Sequence, residues 1–393
     1  MDATLQAKTL ASFGASPSEI EELLAYNENV FDLSAVGPET RFPLPDEPHV
    51  AFWERLARQA AERGAWNVLV ENLPQLRFPI RQGMSEAPDY QAATRRGADP
   101  ERLAEATGLE IERPELVELV LHQSPAGRIP LLVARGRAEF VALLRALARR
   151  NEPAEVPDSQ GALMVSGYNN WGRVAELRRA WEEVPADERV TATWNEEFAR
   201  LKPQKELYQD RFILLSDGPY SAVPASALGL AEDRWRELSL LIRRDHECSH
   251  YLTKRLFGSM KNNALDELIA DYAGLTGALG RYRADWFLRF MGLEDFPRYR
   301  QGARLDIYRG DPPLTDGAFR VLQALLKAAA DNLERFDRGL KGPRILEQQA
   351  LTLAAICLLR LEELAAPGGA ERLERQSLSR VQARPPRPRS TAW

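Results

Sequence analysis

The chain has 393 residues, with 52 Lys and Arg against 57 Asp and Glu and a net charge of −5. It is too long for one average domain and comfortable for two. So balanced a chain has no global electrostatic reason to seek nucleic acid or an anionic membrane. Its 44% apolar and 28% charged residues exclude bulk disorder.

The first half alternates helix and strand signals. Ser16-Pro17-Ser18-Glu19 reads as an N-cap, a first-turn proline and a capping-box glutamate for a helix to about Tyr26. Residues His49–Arg63 read as a helix stopped by Gly64, and the apolar run Trp66–Val70 as a buried strand. Residues Phe78–Leu109 look like a long polar excursion. Leu116–Leu121 and Ile129–Val133 read as strands, Ala138–Arg149 as a helix and Ala162–Ser166 as a third strand. The turn Gly167–Gly172 then opens a helix to about Trp181. Arg211–Ser216 is a fourth strand, suited either to the core or to pairing with an extended substrate. From Glu232 the pattern turns helical, over about 232–257, 264–280, 314–337 and 344–364.

These signals predict an α+β protein. An α/β domain of unknown role is expected over residues 1–190 and a mainly helical domain over 191–366. The remainder, 367–393, reads as a flexible Arg/Pro tail. Two cysteines, Cys248 and Cys357, cannot make a disulfide framework. The start lacks a signal-peptide pattern, and the longest apolar run, near Ala350–Leu359, is about half a bilayer span. A cytoplasmic location, away from membranes and nucleic acid, is the expectation; the oligomeric state is not legible.

Four histidines occur, His49, His122, His246 and His250. The last two lie in Asp245-His246-Glu247-Cys248-Ser249-His250, four residues apart within a helical pattern. Their imidazoles therefore share one face, a turn apart, and can bind one zinc ion. Glu247, about 100° around the helix, can reach a metal-bound water without binding the metal. Downstream, Glu267 and Asp271 are again four apart, beside Leu265, Leu268, Ile269 and Ala270. Bare carboxylates are expensive in such a setting, and a metal with its histidines would offset the cost. Glu267 then supplies the third ligand, with Asp266 as the alternative, and Asp271 accepts the outer N–H of a ligand histidine. Cys248 falls on another face and reads as core.

His246-Glu247-x-x-His250 followed by Glu267-x-x-x-Asp271 resembles the gluzincin branch of the zincin metallopeptidases. Ala264–Gly274 is similar to the second ligand helix of thermolysin-like enzymes, and Glu267-Leu-Ile-Ala-Asp271 to the core motif of CAAX prenyl endopeptidases. The resemblance spans about 30 residues. It implies a zincin-like fold for the helical domain and Zn2+ held by His246, His250 and Glu267. It also implies Glu247 as general base, Asp271 behind a ligand histidine, and a peptide or small amide as substrate. A non-peptide amide or ester substrate, or a binding protein with a structural zinc site, are the rival readings. The histidine that steadies the oxyanion in thermolysin-like enzymes has no counterpart by spacing. His122 is more readily a turn residue, and none of Tyr220, Tyr251, Tyr272 and Tyr282 is singled out.

Overall fold

The computed structural model describes residues 3–31, 36–37, 39–258, 263–342 and 344–382. In chain order the helices and strands begin with α1 (Ala3–Ser12), α2 (Pro17–Tyr26), α3 (Val50–Arg63), α4 (Ala65–Asn72) and α5 (Pro88–Arg96). Then follow β1 (Val117–Ser124), β2 (Gly127–Ala134), α6 (Arg137–Ala148), β3 (Ala162–Asn169), α7 (Trp171–Glu183), α8 (Trp194–Leu201) and β4 (Gln209–Ser216). The rest is helical: α9 (Glu232–Phe257), α10 (Ala264–Leu279), α11 (Ala284–Met291), α12 (Asp316–Gly339), α13 (Leu346–Cys357), α14 (Leu361–Ala365) and α15 (Gly369–Gln382). The protein is α+β, with its C-terminal part helical. No helix among the described residues is long and apolar enough to cross a membrane.

The contacts divide the chain into two units. One joins residues 45–123 to 127–218, and the other joins 1–44, 124–126 and 219–393. The division differs from the expected boundary at 190. Strand β4 belongs with the α/β unit, and α1 and α2 belong with the helices. Long-range bonds hold the two N-terminal helices there. Tyr26 Oη donates to the Tyr308 carbonyl at 2.6 Å and accepts the Ala264 N–H at 3.0 Å. Asn27 Nδ2 donates to Glu362 at 3.0 Å.

The α/β unit is built on a four-stranded sheet of order β1-β2-β4-β3. Strand β2 runs parallel to β4, with Leu131 opposite Ile213, and β3 runs antiparallel to it, with Leu163 opposite Leu214. Phe212, Ile213, Leu214 and Leu215 are all fully buried. Strand β4 is thus an interior strand with both edges paired, which removes it as a site for substrate pairing. Phe212 and Leu214 pack with Trp53, Leu69, Phe140 and Leu144 in the unit's core.

Three expectations are corrected here. Trp66–Val70 is not a strand but the middle of α4. A short apolar run fits a buried strand and a buried helix equally well, and Gly64, at φ 83°, ends α3 and opens α4 directly. The excursion at 78–109 carries α5 and a small core of its own, Phe78, Met84, Tyr90 and Ala93. Finally, the segment from 367 is not all tail. Helix α15 runs to Gln382 and buries Leu373 completely, while the Arg/Pro stretch from 383 lies outside the described residues.

The predicted capping box stands at α2: Ser16 Oγ accepts the Glu19 N–H and the Glu19 carboxylate accepts the Ser16 N–H at 2.7 Å. The segment Gly167–Gly172, expected as a turn, is instead the end of β3 and the start of α7, with Asn170 alone between them as the N-cap. Asn170 Oδ1 accepts the Arg173 N–H at 3.1 Å, and its Nδ2 donates to Asp210 at 2.6 Å. Trp53 Nε1 and Arg173 Nη1 also donate to Asp210, at 2.7 and 2.5 Å, in a fully buried ion pair. Burial pushes the Asp210 carboxyl up, against these donors. Breaking a buried pair by removing one partner costs about 3–5 kcal/mol, because the other charge stays behind. Asp210→Ala should therefore destabilise the protein by about that much in denaturant unfolding, and a loss below about 1 kcal/mol would show that Arg173 finds another partner.

Candidate metal centre

Helix α9 carries the histidines. It runs 26 residues from its N-cap Ala231 to the left-handed Gly258, so residues 246 and 250 sit in an unbroken interior. Both are buried, at 6% and 8% exposure, with their Nε2 atoms 3.1 Å apart. Cys248 is buried on another face, and burial pushes its thiol up, as for core packing.

Helix α10 brings the carboxylates. Asn263 caps it, accepting the N–H groups of Leu265 and Asp266 at 3.1 Å. Its glycines allow a close approach to α9. A Cβ on Gly274 would lie 2.6 Å from the Ile242 carbonyl oxygen, and one on Gly277 would overlap the Asp245 side chain. At that spacing Glu267 reaches both rings, with oxygens 3.6 Å from His246 Nε2 and 3.5 Å from His250 Nε2. Asp271 Oδ1 lies 2.9 Å from His246 Nδ1. That bond puts the proton of His246 on Nδ1 and leaves the Nε2 lone pair facing His250 and Glu267.

Three further side chains complete the cluster. Tyr220 precedes two left-handed residues, Ser221 and Ala222, and is held by a bond from its N–H to Ser239 Oγ at 3.0 Å. Its hydroxyl donates to Asp271 and lies 2.8 Å from His246 Nδ1. Arg304 pairs with Asp271, donates to Tyr220 Oη at 3.0 Å and to Ser221 Oγ at 2.8 Å, and lies 3.6 Å from Glu267. The Tyr308 hydroxyl bonds Glu267. Nothing in the local sequence marks Arg304 or Tyr308, since both reach the site from a single 3-10 turn, Arg304–Tyr308.

The charges are interdependent. Burial drives the Glu267 carboxyl up, but His246, His250 and Arg304 outweigh it and bring it down to about 2. Burial favours neutral His250, but the Glu267 carboxylate, with Glu247 and Asp266, raises it to about 9. For Asp271 burial is again outweighed, by Arg304 and His246, and its carboxyl is lowered. Burial, with Asp271, raises the Tyr220 hydroxyl far above its usual range, so it remains a donor. The pocket therefore favours positive charge between the two rings and Glu267.

This donor set suits a metal ion. His246, His250 and Glu267 each turn one ligand atom to a common point, all within 4.8 Å of one another. A tetrahedral zinc with bonds of about 2.0–2.2 Å has ligand atoms roughly 3.3–3.6 Å apart. Here the two Nε2 atoms stand 3.1 Å apart, and Glu267 approaches them with a different oxygen each, Oε2 at 3.6 Å from His246 and Oε1 at 3.5 Å from His250. Among the described residues no fourth His, Cys, Asp or Glu joins the group. Asp266 is buried but outside it. Glu247 is half-buried and has no hydrogen bond or ion pair from its side chain among the described residues, although its charge acts on His250. His49 and His122 belong to the other unit, at the start of α3 and within β1 rather than in a turn.

A family model covers residues 8–368, nearly the whole chain. The chain belongs to DUF7005, a family of unknown function. No curated protein and no solved structure matches it. The DUF7005 description carries no chemistry, so the reading of this centre rests on its residues. The Asp271 bond gives a direct check. Asp271→Asn keeps the shape but replaces a charged acceptor with a neutral one, and should weaken zinc binding about 10–100-fold in a chelator competition. Unchanged affinity would mean that Asp271 serves Arg304 rather than His246.

Proposed function

We propose that this protein is a zinc-dependent hydrolase that cleaves amide bonds, with a peptide or small amide as substrate. The observation that carries the reading is the convergence of His246 Nε2, His250 Nε2 and Glu267 beside a carboxylate, Glu247, that no described residue engages. A purely structural site closes its shell with a fourth protein ligand and needs no idle acid beside it. Both cysteines are buried and neither is in a disulfide, in keeping with a reducing, cytoplasmic setting.

His246, His250 and Glu267 would hold the ion. When bound, zinc lowers the pKa of a coordinated water toward 7 and polarises a carbonyl. The chain's own residues do the rest. Glu247 takes the proton of the attacking water and delivers it to the leaving amine. Asp271 fixes the His246 ring through Nδ1 and makes its Nε2 more basic. Tyr220 and Arg304 hold Asp271 in turn. Arg304 also faces both buried carboxylates, paired with Asp271 and 3.6 Å from Glu267, and offsets part of their negative charge.

The reading is tested on the full-length, zinc-loaded protein with a mixed peptide library, followed by mass spectrometry. Wild type should cleave. Glu247→Gln should keep its zinc and lose about 10²-fold or more of the rate, the usual size of a general-base contribution. Glu267→Ala should instead lose zinc. A wild type that holds zinc and cleaves nothing, or a Glu247→Gln protein that cleaves at the wild-type rate, would contradict the proposal.

A further inference from the structure

A second feature lies in the α/β unit and owes nothing to the histidines. A cavity of about 670 Å³ opens between the C-terminal end of α6, helix α5 and strand β3. That volume is typical of small-molecule sites. Three arginines line it, Arg95, Arg149 and Arg150, and no carboxylate does. None of the three guanidinium groups has an ion pair or hydrogen bond among the described residues. Elsewhere in the unit Arg128, Arg135, Arg173 and Arg200 sit on carboxylates, whereas these three gather around one cavity.

The arginines are held to this place. Arg150 and Asn151 are consecutive non-glycine residues in the left-handed region, at φ 54° and 58°. Fully buried Asn151 locks the turn, donating to the carbonyls of Gln75 and Phe78 at 2.9 Å each. Cations just past a helix C-terminus are favoured by the helix dipole, which accounts for Arg149. The dipole of α5 accounts in the same way for Arg95, in that helix's last turn, but neither dipole accounts for the left-handed backbone at Arg150.

A buried donor faces the same space. Tyr90 is 3% exposed, lines the cavity, and its hydroxyl has no partner among the described residues. Burial raises its pKa, the charges of Arg150 and Arg95 act in the opposite sense, and that of Glu152, which does not line the cavity, adds to the rise. Beside it, Tyr168 donates to Gln75 Oε1 at 2.6 Å, which leaves the Gln75 NH2 group as a further donor. Leu147, Leu163 and Val165 supply an apolar wall.

We infer that this cavity binds a small organic phosphate, its phosphate among Arg95, Arg149, Arg150 and the Tyr90 hydroxyl and its apolar body against Leu147, Leu163 and Val165. A single carboxylate offers two oxygens in one plane and cannot engage three guanidinium forks. A phosphate monoester offers three charged oxygens disposed in three directions, and arginine pairs with it in bidentate fashion.

The test is calorimetric titration of the full-length protein with phenyl phosphate, and in parallel with citrate, at physiological salt. Phenyl phosphate should bind at one site per chain and more tightly than citrate. The Arg95→Gln/Arg149→Gln double variant should weaken it about tenfold or more, whereas Arg102→Gln, an exposed arginine outside the cavity, should not. Both arginines are exposed, so the variant is expected to melt like wild type, and melting is measured alongside. No binding by wild type, or equal binding by the double variant, would overturn the inference. Tighter binding of citrate would overturn the choice of phosphate.

Discussion

The burial of two carboxylates between α9 and α10 is the constraint on which the helical unit turns. Glu267 and Asp271 are 2% and 0% exposed, and an isolated buried carboxylate is among the costliest groups a fold can carry. The surrounding structure answers that cost. His246 and His250 meet the carboxylates from α9, Arg304 and Tyr308 from the turn at 304–308, and Tyr220 from the strained segment before α9. The glycines of α10 permit the approach that makes these bonds possible. The N-terminus of α10 is fixed from both sides, by its own Asn263 and by Tyr26 of α2. A stability-driven fold would place apolar side chains here. A polar cluster this deep, satisfied by so many separate segments, has the character of a site kept for its chemistry.

Within that cluster the roles divide by distance from the common point. His246 Nε2, His250 Nε2 and Glu267 face it. Asp271, Tyr220 and Arg304 stand one layer back and set the tautomer and orientation of His246. Glu247 stands apart from both sets, on the ligand helix but outside the bonded network. That arrangement separates the groups that would hold an ion from the group that would move a proton, which is what metal-assisted hydrolysis requires.

What the sequence reveals of this follows from periodicity. His246/His250 and Glu267/Asp271 are each four apart in helical segments, so helical spacing alone places each pair on one face. Their meeting across α9 and α10 adds only one long-range contact. Tyr220, Arg304 and Tyr308 have no such signature, because irregular segments carry them and their positions depend on tertiary packing. The same limit explains the fold. The ends of α9 are legible from its composition and the left-handed Gly258. The helix α4 is not, since five apolar residues fit either period, and neither is α11, only eight residues long. The place of α1 and α2 with the helical unit rests on the bonds of Tyr26 and Asn27, to partners 238 and 335 residues away in sequence.

The central claim is that two imidazoles and one carboxylate bind a single zinc ion while buried Cys248 does not. Zinc K-edge X-ray absorption on the full-length protein loaded with one equivalent of zinc tests it directly. The account predicts a first shell of nitrogen and oxygen only, at about 2.0–2.2 Å, with the outer-shell signature of two imidazoles. A sulfur scatterer at about 2.3 Å, a shell with one imidazole or none, or a protein that retains no zinc would contradict it.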